Sequence, residues 1–193
     1  MGQNNQSNGA KMLKSQDVVL LLKLLSKPEN LELSQNQLAV QLCMSVSEIH
    51  AAFKRLREAG LIQFSDKSSK AKLSLQLVYS AIEEFLLSGL KYVFPAKTGE
   101  FIRGIPTSYA APVLEKFFTQ SQDPIPVWPY AEGSIKGLAV EPLYRSVPES
   151  LTQYPDEDFY DLLALIDAIR IGRARERQMA AQLLQEKLKN VRT

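Results

Sequence analysis

Ser45-Val46-Ser47-Glu48-Ile49-His50-Ala51-Ala52-Phe53-Lys54-Arg55-Leu56-Arg57-Glu58-Ala59-Gly60-Leu61-Ile62 is the stretch whose reading decides the fold. Ser45 and Glu48 stand three residues apart, the form of a capping box that opens a helix. Ile49, Phe53 and Leu56 fall at i, i+4 and i+7, so one face of that helix is apolar. Glu58-Ala59-Gly60 closes it, since glycine accepts the left-handed conformation that follows a helix end. Leu61 to Phe64 then reads as a strand, residues 65–72 as a polar tip, and the alternation Leu73-Ser74-Leu75-Gln76-Leu77 as the returning strand.

Upstream, Ser34 and Gln37 form a second capping box, and Leu38, Val40 (or Ala39) and Leu42 supply the apolar side of a short helix. Before it, the spacing predicts a helix over Ser15–Ser26. Val18, Leu21, Leu22 and Leu25 make one face, and Val19, Leu20 and Leu24 widen it, so that helix is expected to be well buried. Lys27-Pro28 ends it. Downstream, residues 79–90 read as a helix through Ile82, Phe85, Leu86 and Leu90. Nine of the ten prolines then lie between Pro95 and Pro155, among Phe101, Ile102, Phe117, Trp128, Leu138 and Val140. So much apolar surface predicts an ordered but irregular segment with a short helix near 111–119. One helix is expected over residues 156–189, with acidic residues at its start and lysines at its end.

Composition removes several classes of function. A single cysteine, Cys43, allows neither an internal disulfide nor a cysteine-based zinc site, and a single histidine, His50, allows no multi-histidine metal centre. Cys43, at the end of an apolar helix face, is expected as a small buried hydrophobe. There is no Gly-rich phosphate loop, nucleophile elbow or paired-ligand spacing, so no enzymatic activity and no cofactor are expected. No apolar run is long enough for a membrane span, and residues 1–10 are Gln/Asn/Ser/Gly-rich rather than a signal peptide. A cytoplasmic location is the default expectation. The net charge of +2 is too small for a protein that coats nucleic acid by bulk charge. It is unevenly placed, however. Residues 45–72 carry six Lys or Arg against three Asp or Glu, while residues 95–193 carry twelve against thirteen.

The run Ser45 to Ile62, preceded by Leu38-Ala39-Val40-Gln41-Leu42, resembles the recognition-helix segment of bacterial regulators of the MarR and related types. The likeness covers about residues 15–77 and implies a winged helix-turn-helix that binds double-stranded DNA. A helix of this width fits the major groove and brings side chains to base edges. The positions facing away from Ile49, Phe53 and Leu56 are Ser47, His50, Ala51, Lys54 and Arg55. Ser47 and His50 can bond bases or phosphates, Ala51 permits close approach, and Lys54 and Arg55 can neutralise phosphates, with Arg55 also suited to a guanine edge. Ser45 leaves backbone N–H groups at the helix start. The wing tip, Lys67, Ser68, Lys70 and Lys72, can reach the flanking backbone.

In the C-terminal half, Arg170, Arg173, Arg175 and Arg177 interrupt an apolar stripe. Arg170, Arg173 and Arg177 admit two readings: a pocket for an anionic ligand or acidic partner, or internal pairing with neighbours such as Asp167. Trp128 and Tyr109, with Tyr130 and Tyr144, could line a cavity or simply pack the core. Residues 103–112, Val127-Trp128-Pro129 and Pro142-Leu143-Tyr144-Arg145 resemble a block of uncharacterised bacterial winged-helix proteins, which implies a companion region but no particular chemistry.

The expected fold is mainly α with a small β-wing: a winged helix-turn-helix plus a Pro-rich irregular segment and a long C-terminal helix. The expected organisation is a disordered tail (1–14), a DNA-binding domain (15–80), a connecting helix (81–94) and a dimerisation, partner or effector region (95–193). The expected function is that of a sequence-specific transcriptional regulator, a repressor acting as a homodimer under an unidentified small-molecule or protein effector. The alternative is a winged-helix interaction adaptor, or an antitoxin-like partner, without direct DNA readout. The last helix, with its small Gly172, Ala174, Ala180 and Ala181, is the expected dimer interface and the first helix the runner-up.

Overall fold

A helix that is apolar on every side must be enclosed on every side. α1 (Ser15–Ser26) meets that condition: every residue from Asp17 to Ser26 is buried. In the computed structural model, which describes residues 12–66, 73–118 and 123–192, α1 lies at the centre of the molecule. The fold is mainly α-helical with two small β-sheets. The expected tail therefore falls largely outside the described residues, as does the tip between the first two strands.

α1 is followed by a 3-10 turn (Pro28–Glu32), then α2 (Gln35–Gln41) and α3 (Val46–Glu58). Both capping boxes form as their sequences require, Ser34 with Gln37 and Ser45 with Glu48. In α2 the buried residues are Leu38 and Ala39, while Val40 points outward at 55% exposure. Gly60 takes φ +72° after α3, which only glycine adopts without cost. β1 (Ile62–Asp66) and β2 (Leu73–Leu77) then pair antiparallel, with Ile62 opposite Leu77 and Phe64 opposite Leu75. α4 (Tyr79–Glu84) runs through a π-helical turn (Phe85–Gly89) into α5 (Leu90–Val93), a longer and less regular rod than the expected helix over 79–90.

The Pro-rich stretch is more regular than expected. It holds a second sheet of β3 (Thr98–Pro106), β4 (Pro126–Pro129) and β5 (Ile135–Val140), in which β3 runs antiparallel to both others. Its prolines misled because Pro106, Pro126 and Pro129 stand at strand ends, where the missing N–H interrupts no ladder. A 3-10 turn (Ser108–Ala110) and α6 (Pro112–Glu115) lie between β3 and β4, and α7 (Val147–Gln153) follows β5.

The long C-terminal helix is two helices. α8 (Glu157–Ile171) ends at Gly172, whose extended backbone turns the chain into α9 (Ala174–Arg192). A Cβ at Gly172 would fall 2.3 Å from the Ala168 carbonyl oxygen, so only glycine allows this break. α9 folds back on α8: Lys187 near its end pairs with Asp158 and Asp161 near the start of α8. Of the small residues expected at a dimer interface, Gly172 and Ala180 are buried within the chain, Ala181 is half-buried and Ala174 is exposed. α1, the second expected interface, contacts α3, α8 and α9. One continuous buried cluster runs from Val18 to Leu188.

Two polar hubs cross this core. Asp156 caps α8 through the Phe159 N–H and holds Lys23 of α1 at 2.6 Å and Lys27 at 3.2 Å. Burial pushes the Asp156 carboxyl up, but Lys23 and the other partners outweigh it and leave it below the usual carboxylate range. Asp167 of α8 accepts from Trp128 Nε1 at 2.6 Å, Thr107 Oγ1 at 3.0 Å and Arg170 at 2.6 Å. Among the described residues, no helix is long and apolar enough to cross a membrane.

Candidate nucleic-acid interface

The helical repeat divides α3 into three faces. Ile49, Ala52, Phe53 and Leu56 point into the core, and Phe53 packs on Phe64 of β1 with ring centroids 6.5 Å apart. This contact fixes the helix against the β1–β2 hairpin. Val46, Ser47, His50 and Lys54 are exposed, and Ala51 beside them is half-buried. Ser45 stands exposed at the start, its Oγ accepting the Glu48 N–H while the Glu48 carboxylate accepts both the N–H and the O–H of Ser45 at 2.8 Å. Four of the predicted positions (Ser45, Ser47, His50 and Lys54) thus share one open side of the molecule, with Ala51 between them.

Arg55 does not belong to that side. It lies on the third face, 6% exposed, with its guanidinium donating to both oxygens of Asp17 at 2.6 and 2.7 Å. The physical reason lies in α1. Asp17 sits at the first turn of a helix with no water-facing side, so its charge needs a buried partner, and Arg55 is the cation in reach. The Asp17 bonds outweigh burial and raise the Arg55 pKa. Lys67, Ser68, Lys70 and Lys72 lie outside the described residues.

The arginines of the C-terminal half are engaged separately. Arg170 is buried on Asp167 and also donates to the carbonyl of Phe94 at 2.8 Å. Arg173 is exposed and pairs with Asp123 at 2.8 Å. Arg177 donates to the Gly172 carbonyl at 2.8 Å, where it satisfies the end of α8. They do not form one anion pocket, and Trp128 is a core residue bonded to Asp167. Tyr109 donates to the Pro124 carbonyl and meets Phe118 edge-on at 6.3 Å, on the wall of an open cavity of about 520 Å³ that also touches Lys116, Asp123, Ile125 and Ile135.

One contribution escaped the sequence reading. The segment Leu143 to Ser146 lies against the turn between α2 and α3. Leu143 is buried, Ser146 Oγ donates to the Leu42 carbonyl at 2.7 Å, and the Tyr144 hydroxyl donates to Glu48. The Tyr144 bond, followed by those of Ser45, holds the Glu48 carboxyl below the usual carboxylate range. Cys43 occupies the turn itself at φ +51°, half-buried rather than enclosed, with burial pushing its thiol pKa up. The signal in the sequence was Glu48 itself, whose second oxygen was left without a partner by the capping box.

Chemically, the outer side of α3 offers hydroxyl, imidazole and ammonium groups on a helix held rigidly at its two other faces. No protein-family model, no curated protein and no solved structure matches the chain.

Proposed function

We propose that the chain is a sequence-specific DNA-binding regulator in which α2, α3 and the β1–β2 hairpin act as a winged helix-turn-helix. α3 enters the major groove with Ser47, His50 and Lys54 toward the bases and phosphates, and Ser45 at the helix start toward the backbone. Lys67, Ser68, Lys70 and Lys72 belong to the wing of this reading. The organisation proposed is a DNA-reading unit over residues 15–80 and a companion region over 95–193, with repression by a homodimer on a two-fold site and an effector acting through the companion region. The observation that carries the reading is the separation of faces on α3: two faces are packed or bonded within the chain, and the third presents exposed Ser47, His50 and Lys54 with Ala51 half-buried between them and Val46 exposed at the helix start.

Selection of the purified full-length protein on a random-sequence duplex library tests it. The wild type is expected to enrich one motif, and His50→Ala and Lys54→Ala to weaken binding to it by about tenfold or more. Failure of the wild type to enrich any motif overturns the proposal. A second reading, a protein-interaction adaptor, draws on Val40 and Val46, which are 55% and 44% exposed on either side of the α2–α3 turn. Under that reading, Val40→Ser and Val46→Ser disrupt partner capture while Lys54→Ala does not.

A further inference from the structure

We infer that Arg145, carried by the C-terminal half of the chain, is a phosphate contact at the start of α3, positioned by Tyr144 beside the flank that Glu48 occupies rather than on the side of Ser47, His50 and Lys54. The inference rests on the DNA reading and extends it to a residue outside the helix-turn-helix segment.

The position of Arg145 is determined by its neighbours in sequence. Leu143 and Ser146 on either side are buried, and Ser146 is tied to the Leu42 carbonyl at the end of α2. Tyr144 is fixed by its bond to Glu48, whose other oxygen is bonded to the cap of α3. Arg145 itself is exposed, with its guanidinium carbon 5.9 Å from the centre of the Tyr144 ring. It is also near enough to Glu48 to help lower that carboxyl. The cation therefore stands at the start of α3, on a rigid support.

Arg145 makes no salt bridge among the described residues, in contrast to Arg55, Arg170 and Arg173. Glu48, the acid facing it, already accepts from Ser45 and Tyr144, and so neutralises it only in part. Glu149, on α7, faces Cys43 and accepts from Gln153. A duplex that receives α3 in its major groove presents backbone phosphates along the groove edges, next to the helix start. Its guanidinium, hydrogen-bonded to Tyr144 but without a salt bridge, keeps donors for a phosphodiester there rather than for a base. It adds affinity and register without sequence preference, and bidentate geometry favours arginine over lysine.

The test is binding of the full-length protein to its selected duplex and to an unselected duplex, measured as a function of salt. Arg145→Ala is expected to reduce the slope of log K against log salt by about one unit and to weaken both duplexes alike. Arg145→Lys should keep most of the slope, and Tyr144→Phe, which frees the support, should lose part of it with the charge still present. An Arg145→Ala slope equal to that of a wild type that does bind DNA overturns this inference and leaves the DNA reading standing. A wild type without salt-sensitive duplex binding overturns the DNA reading and this inference with it. Because the side chain is exposed, an unchanged melting temperature for Arg145→Ala excludes misfolding as the cause of a loss.

Discussion

Lys54 and Arg55 are adjacent cations on one helix, yet they belong to different parts of the molecule. The face of Arg55 and Glu48 is bonded to α1 and to the segment before α7, through Asp17 and Tyr144. The face of Lys54, His50 and Ser47 is open. A rotation of one residue, about 100° around the helix, separates a charge that holds the fold together from one available to a partner. Charge content alone does not distinguish the two, because what matters is whether an acid is buried opposite.

The largest test of this difference is Arg55→Ala. It leaves Asp17 enclosed without its buried partner, so unfolding in urea should show a loss of about 3–5 kcal/mol. A loss below about 1 kcal/mol would mean that the two faces are equivalent. Tyr144→Phe should cost about 1 kcal/mol, the net worth of one hydrogen bond, without changing the cap at Ser45. The same bond sets an acid limit. Glu48 and Asp156 are both held below their unfolded values. Each therefore adds stability above the ordinary carboxylate range of about 4, and that stability disappears as pH falls through the lower folded values. Melting curves between about pH 7 and pH 3 should show this decline, with a smaller decline for Glu48→Gln.

Cys43→Gly has a smaller expected effect. The left-handed φ of +51° costs a side-chain-bearing residue about 1 kcal/mol, and glycine relieves this but loses more chain entropy. A net gain of about 0.5 kcal/mol in urea unfolding is expected, and a net loss would assign the thiol a packing role larger than its half-burial suggests. The smallest change in stability is expected for Lys54→Ala, within about 0.5 kcal/mol, even though DNA binding should fall sharply. A large destabilisation there would erase the distinction between the two faces.

The helices near Ser15–Ser26, Ser34 and Ser45 were legible because their signals are local: a capping box, an apolar spacing, a glycine after the last turn. The hairpin was legible from the alternation at Leu73 to Leu77. The second sheet was not, since β3 finds β5 across more than thirty residues and nothing local announces that pairing. Arg55 was placed on the wrong face for the same reason, its partner being 38 residues away in sequence. A clue was present nonetheless. Asp17 and Lys23 are the only charged residues within Ser15–Ser26, a helix too apolar to offer them water, so each had to meet an opposite charge from elsewhere. Arg55 and Asp156 are those charges. The break at Gly172 was visible as a residue unfavourable to helices, but its direction depends on the packing of α9 against α8.

The central place of α1 has a consequence for how the chain acquires its structure. Its apolar surface, from Val18 to Leu25, is covered on one side by α3 and on another by α8 and α9, and α8 and α9 begin only at Glu157 and Ala174. During synthesis the part of this helix that α3 does not cover stays open until α8 and α9 are made. Topology of this kind folds slowly and exposes adhesive surface to chaperones and neighbouring chains in the meantime. Any interruption of the chain before α8 therefore leaves α1 with an open apolar side that favours aggregation over a shorter, stable domain.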